Sequence, residues 1–159
     1  MNRAYITKKA FGIEIASYFL ILLSFLAAIV LILTADGSIP YHYDFSGQPD
    51  EYGSPWILLL LPGIMAVTNI VLTLSIHVLP ENMWNFPIEI TDRIRFDAYK
   101  NTAYMIVLLQ FQMALYTIYF TLVLAKGDNY IIAGTVVLLV AVFGTIGVYI
   151  ARIIKLSHK

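Results

Sequence analysis

No cysteine occurs in the 159 residues. That excludes disulfides, thiol catalysis and thiolate-bound metals, and it leaves the redox compartment undefined. Charge is scarce as well. Asp, Glu, Lys and Arg make up 13% of the chain, against about a quarter in ordinary soluble domains. The ten basic residues balance the ten acidic ones and form no long run, so no nucleic acid is expected as a partner. There is no His-Glu-x-x-His pair, no Gly-x-Ser-x-Gly elbow, and no paired Asp or Glu of the kind an intramembrane protease carries in its spans. A non-enzymatic protein without a cofactor is expected.

What the chain does contain is apolar sequence, 60% of it hydrophobic. A membrane-spanning helix needs about 20 mostly apolar residues. Four runs qualify, at about residues 13–33, 56–79, 102–125 and 130–150. No repeat stands out, and no soluble domain fits between the runs. The expected fold is one all-α integral membrane domain of four transmembrane helices, packed against the lipid bilayer. The first run is read as a retained anchor: its apolar core exceeds the ~7–15 residues of a signal peptide, and no clear cleavage site follows.

Lys and Arg set the expected orientation. The N-terminal tail has Arg3, Lys8 and Lys9, and residues 35–54 have none. Residues 80–101 have Arg93, Arg95 and Lys100; the turn Lys126–Asn129 has Lys126 alone; the C-terminal tail has Arg152, Lys155 and Lys159. Both termini and the 80–101 connection are expected in the cytoplasm. The 35–54 loop is expected outside, and the protein is expected in a membrane with several passes.

Within the spans the polar residues fall on stripes. Ser24 and Ala28 let another helix approach closely. Pro62, Ala66, Asn69, Thr73 and His77 share one face, which should point inward, because a lone amide facing lipid is costly. Gln110, Ala114, Thr117 and Thr121 share another face, and Gln112, Tyr116 and Tyr119 a third. Gly144, Gly147 and Ala151 form a helix-packing flank on the fourth span, as Asn69 does on the second. Glu14 reads as a carboxylate near a helix start beside Lys8 and Lys9, with a proton relay as the alternative. His77 reads as an interface histidine, and Tyr5 and Phe11 as headgroup-depth aromatics. Thr91 is the expected N-cap of a solvated helix that runs into the third span.

The loop Ser38–Trp56 is the chemically dense stretch. It holds His42, Asp44, Asp50 and Glu51 with Tyr41, Tyr43, Phe45 and Tyr52, and no Lys or Arg. Pro40, Pro49, Pro55, Gly47 and Gly53 exclude a continuous helix. Asp50 to Pro55 reads as a capped helix start, with Ser54 as N-cap, Pro55 in the first turn and Asp50 and Glu51 at the helix's positive end, which narrows the candidate ligand-binding loop to Pro40, His42, Asp44, Gly47, Pro49, Asp50 and Tyr52. His42, Asp44, Asp50 and Glu51 could donate nitrogen and oxygen to a metal, though their spacing is not that of an EF-hand.

Ile39-Pro-Tyr-His-Tyr-Asp-Phe-Ser-Gly-Gln-Pro-Asp-Glu-Tyr-Gly-Ser54 resembles the outer loop of a small bacterial membrane domain of unknown function, which also forms the N-terminal part of SdpI-like toxin-immunity proteins. That loop runs Pro-x-His-aromatic-Asn, then Gly, Asp and Gly-Ser-Lys. The resemblance continues through Leu61-Pro62 and at Asn85-Phe-Pro-Ile-Glu-Ile-Thr91, covering about residues 20–100. Asp44 stands in place of the usual Asn and Pro55 in place of the Lys, so this loop is the more acidic. The resemblance implies an outward loop that recognises a secreted peptide or toxin, and a cytoplasmic face at residues 80–101 that holds a protein partner. The alternatives are a structural or accessory subunit of a larger membrane complex, and a metal-dependent membrane enzyme.

Overall fold

The structure, a computed structural model, describes residues 3–126 and 130–157. Four α-helices dominate it: α1 (Lys8–Thr34), α2 (Leu60–His77), α3 (Asp92–Lys126) and α4 (Ile131–Leu156). Each is long and apolar enough to cross a membrane, α2 together with the 3-10 turn Pro55–Leu59 that leads into it. The chain is thus built as a multi-pass membrane protein in contact with a lipid bilayer. Most of the Lys126–Asn129 turn, and Lys159, lie outside the described residues.

The helices begin where their caps dictate. Thr7 accepts from the Ala10 N–H over 3.1 Å, so α1 starts five residues before the apolar run and takes in the basic leader. Ser54 accepts from the Trp56 N–H, and Pro55 needs no donor in the first turn. Two backbone N–H groups, of Ile94 and Arg95, reach the Thr91 carbonyl, and from there one 35-residue helix continues through the third span.

α1 and α3 run parallel. Tyr5 packs on Tyr99 at one end, and Ala28 shares a core with Leu124 at the other. The buried stripe of α1 is Ala10, Glu14, Ser17, Ile21, Ser24 and Ala28, and that of α3 includes Ala103, Val107, Gln110, Ala114, Thr117 and Thr121. Both stripes repeat every three or four residues and are mostly small, which is what lets two helices touch in lipid. α2 returns antiparallel and buries Pro62, Asn69 and Ile76. α4 packs along α3. The Gln112 amide donates to Thr145 over 2.7 Å, the Tyr116 hydroxyl lies 2.6 Å from that of Thr135, and the Tyr119 hydroxyl donates to the Tyr130 carbonyl. The two glutamine stripes of α3 therefore serve different neighbours, Gln110 meeting α2 and Gln112 meeting α4.

These contacts give the bundle two unlike ends. Arg3, Arg93, Arg95, Lys100, Arg152 and Lys155 gather at one, together with the short 3-10 turn Glu81–Met83. Tyr5 is buried there, 5% exposed and packed against Trp84 and Tyr99. The other end carries an antiparallel hairpin of β1 (Ile39–Tyr43) and β2 (Pro49–Gly53). Asp50 and Glu51 thus lie in a strand, and the helix start begins only at Ser54. Ile39 is buried against Ala28, Leu58 and Leu124, and seats the hairpin on the helix ends.

Gly134 of α4 lies directly over the Tyr119 ring, where a Cβ would overlap the side chain. Gly134→Ala is expected to displace Tyr119 and destabilise α4 packing by about 1–3 kcal/mol, read as a lower Tm in detergent. Gly144→Ala, where a Cβ meets open space, should leave Tm unchanged.

Candidate functional site

The hairpin is organised by its turn. The Gly47 N–H donates to the Asp44 carbonyl over 3.0 Å, the Asp44 N–H donates to the Gln48 carbonyl, and Gly47 takes a φ of 82°. This is a type I turn followed by a left-handed residue, the arrangement that calls for Asp first and Gly fourth. The Asp44 carboxylate accepts from the Ser46 N–H (2.8 Å), the Ser46 hydroxyl (2.7 Å) and the Gln48 N–H (2.9 Å). The Ser46 hydroxyl above all, with the backbone donors beside it, holds this carboxyl below its ordinary value. Asp44 is accordingly a turn builder, with one oxygen already taken by three donors.

The strands are irregular. Pro40 pairs with Tyr52, His42 with Glu51, and Tyr43 with Pro49, with register shifts on either side of His42. Prolines donate nothing to a ladder and sit at such bulges, and bulges re-aim side chains. Here they bring His42 Nδ1 to 2.6 Å from the Asp50 carboxylate, both side chains facing solvent. The Asp50 hydrogen bond raises the His42 imidazole above its ordinary 6.5, with the Asp50 charge acting in the same direction. Glu51 pairs instead with Tyr41, whose phenol it raises through a hydrogen bond. The Tyr41 ring covers Gly53, where a Cβ would stand 2.9 Å from it.

The seven loop residues thus divide. His42 and Asp50 meet; Asp44 and Gly47 close the turn; Pro40 is buried at the root, and Pro49 is half-buried opposite Tyr43. Tyr52 is exposed. The four metal candidates do not converge: among the described residues no group of three or more His, Cys, Asp or Glu is placed to hold a metal ion. Phe45, at the tip of the turn, is fully exposed, and Trp56 is exposed at the hairpin's exit. Neither was among the expected contact residues, although position two of an Asp-x-x-Gly turn points outward and marks Phe45. Of the packing residues, Asn69 is fully buried between α2 and α3, whereas Gly144, Gly147 and Ala151 are exposed on α4.

One comparison with known families finds a similarity that includes this hairpin. Residues 19–66 match the DUF1648 model, a domain of unknown function. The DUF1648 segment runs from the first half of α1 through the hairpin into α2, and it leaves residues 85–91 outside the match. No curated protein matches the chain, and no solved structure does.

A site of this kind offers an imidazole–carboxylate pair, a second carboxylate and exposed rings, with no Lys or Arg. Because the folded His42 value is raised, the pair stabilises the hairpin fully below the ordinary 6.5, and that contribution is lost as pH rises through the folded value. NMR titration of His42 should show a midpoint above 6.5 in the intact chain, returning towards 6.5 in Asp50→Asn. A midpoint that Asp50→Asn leaves in place would show that the pair does not form.

Proposed function

We propose that this chain is a non-enzymatic membrane protein of SdpI-like type that senses, or gives immunity to, a secreted peptide or toxin through its hairpin. In this reading the chain sits in a bacterial cytoplasmic membrane. The hairpin faces outward and both termini and residues 80–101 face the cytoplasm, as the grouping of Arg3, Arg93, Arg95, Arg152 and Lys155 at the opposite end supports. The observation that carries the reading is the hairpin tip: His42–Asp50 and Glu51 beside exposed Phe45 and Tyr52, inside the DUF1648 segment and without a Lys or Arg. Such a surface suits a cationic, partly apolar peptide, the carboxylates attracting its charge and the rings its side chains. At the other end, the Arg95–Glu81 pair, 2.9 Å apart, and the aromatic packing of Trp84, Phe86 and Tyr99 give residues 80–101 a fixed shape on which a cytoplasmic protein can dock.

Deleting the gene should sensitise the producing strain to its own secreted peptide fraction. Wild-type protein should restore protection, and His42→Ala or Asp50→Ala should not, at equal expression. Full protection by both variants would rule the hairpin out.

A second reading, an accessory subunit of a larger membrane complex, is favoured by one observation. The Gly144, Gly147 and Ala151 flank of α4 meets no other helix of the chain among the described residues, and small side chains there allow close helix approach. It predicts a stoichiometric membrane partner in detergent pull-downs that Gly144→Leu removes. A chain that purifies alone excludes it.

A further inference from the structure

Near the basic end, α1, α2 and α3 enclose polar groups to which the hairpin reading gives no role. Glu14 of α1 is 2% exposed. The Thr73 hydroxyl donates to its Oε1 over 2.7 Å, and His77 Nε2 lies 2.9 Å from its Oε2. Thr73 in turn accepts from the Tyr18 hydroxyl (2.7 Å) and from the Gln110 amide (3.1 Å), and Gln110 also donates to the Asn69 carbonyl. Two acceptors remain: Asn69 Oδ1 and Gln110 Oε1 are buried and have no hydrogen-bond partner among the protein groups. Both side chains are fully buried.

A purely structural account does not explain this arrangement. An ionisable group inside a span is costly, and a glutamine at position 14 would take the same Thr73 hydrogen bond without a charge. Unpaired buried acceptors are equally costly and mark where donors such as ordered water belong. The access route is also defined. The His77 side chain is 33% exposed, against 3% for Glu14. It opens on a cleft of about 400 Å³ lined by Arg3, Ile6, Thr7, Lys8 and Phe11. From cleft to interior the order is His77, Glu14, Thr73, Gln110, Asn69.

We propose that Glu14 and His77 form a proton-binding site inside the membrane-spanning bundle, loaded from the basic end through His77. A proton taken up from the cleft makes His77 an imidazolium. Its Nε2–H bond then breaks as an O–H bond forms at Glu14 Oε2, leaving His77 neutral with its proton on Nδ1. Thr73 keeps Oε1 hydrogen-bonded in both states, and water donating to Asn69 Oδ1 and Gln110 Oε1 completes the cluster. The titratable or charged groups around the pair are Arg3 from the N-terminal segment, Lys8 and Tyr18 from α1, and Tyr104 from α3, whose hydroxyl is bonded to Thr7. α2 adds none besides His77. Arg3 donates to the carbonyls of Ile76 and Leu79, which fixes its charge at the cleft mouth. Towards the hairpin no Asp, Glu, His, Lys or Arg occurs in the spans until Lys126. The site therefore fills from one side and does not conduct. It stands independently of the hairpin reading.

The test is infrared difference spectroscopy on the full chain reconstituted in lipid, between about pH 6 and pH 8, where exposed carboxylates stay ionised. The expected spectrum contains the C=O stretch of a protonated buried carboxyl on the acid side. Glu14→Gln should abolish that band, and Asp50→Asn should leave it. Thr73→Val retains Glu14 and so should keep the band but shift it to the frequency of a carboxyl with one fewer hydrogen bond. This variant decides the matter if Glu14→Gln fails to fold. No protonated-carboxyl band, a band that survives Glu14→Gln, or one that Thr73→Val leaves unmoved would each overturn the proposal.

Discussion

The structure depends on the seam between α1 and α3. In hydrocarbon there is no gain from hiding one apolar surface against another, since lipid tails are as apolar as leucine. Helices associate through close van der Waals contact and polar pairs. The seam supplies the first with Ala10, Ser17, Ser24 and Ala28 against Ala103, Ala114 and Thr117, all fully buried. Ser17 and Ser24 return their hydroxyls to carbonyls of their own helix, so they present small surfaces with no unmet donor. α2 then leans on both helices through Asn69, Thr73 and His77. α4 packs along α3, with Leu156 also against Phe86, Ile88 and Ile90, and leaves most of its surface to its surroundings.

The hairpin follows from the same seam. Two strands alone are at best marginally stable in water. These two hold because Ile39 enters the core made by Ala28, Leu58 and Leu124, with Tyr43 packed beside it. The turn adds its own order through Asp44 and Gly47. The exposed pair His42–Asp50 is therefore carried on a support whose root is apolar and whose tip is hydrogen-bonded, and its geometry depends on Ile39, Tyr43, Asp44 and Gly47.

The four helices are legible in the sequence because length and hydropathy alone decide them, and the caps at Ser54 and Thr91 mark where two of them begin. α1 begins five residues before the apolar run, because Lys8 and Lys9 interrupt the run while Thr7 still caps the helix. The strands are not legible in the sequence, because prolines stand in both and no apolar–polar alternation marks them; the ladder instead accommodates Pro40 beside a bulge. That His42 and Asp50 share a candidate site could be read from their proximity in sequence. That Asp44 belongs to the turn required the turn type. The Glu14–His77 contact joins residues 63 positions apart, and no local pattern could announce it. Each residue had a sufficient local explanation, a basic neighbour for Glu14 and a helix end for His77, and only the packing of α1 on α2 replaces both.

The parallel arrangement of α1 and α3 has a consequence for how the protein is made. The helix that covers the seam face of α1 is not the next one synthesised but the one after it. When the first two spans have entered the membrane, Ser17 and Ser24 still lack the α3 surface that buries them. The first helical hairpin is then joined by the Glu14–Thr73–His77 and Tyr18–Thr73 contacts, the packing of Ala10 on Ile76 and that near Leu58. Assembly thus waits for the third span, which must slot between elements already in place, and the small, self-bonded side chains along α1 are the kind that tolerate that wait.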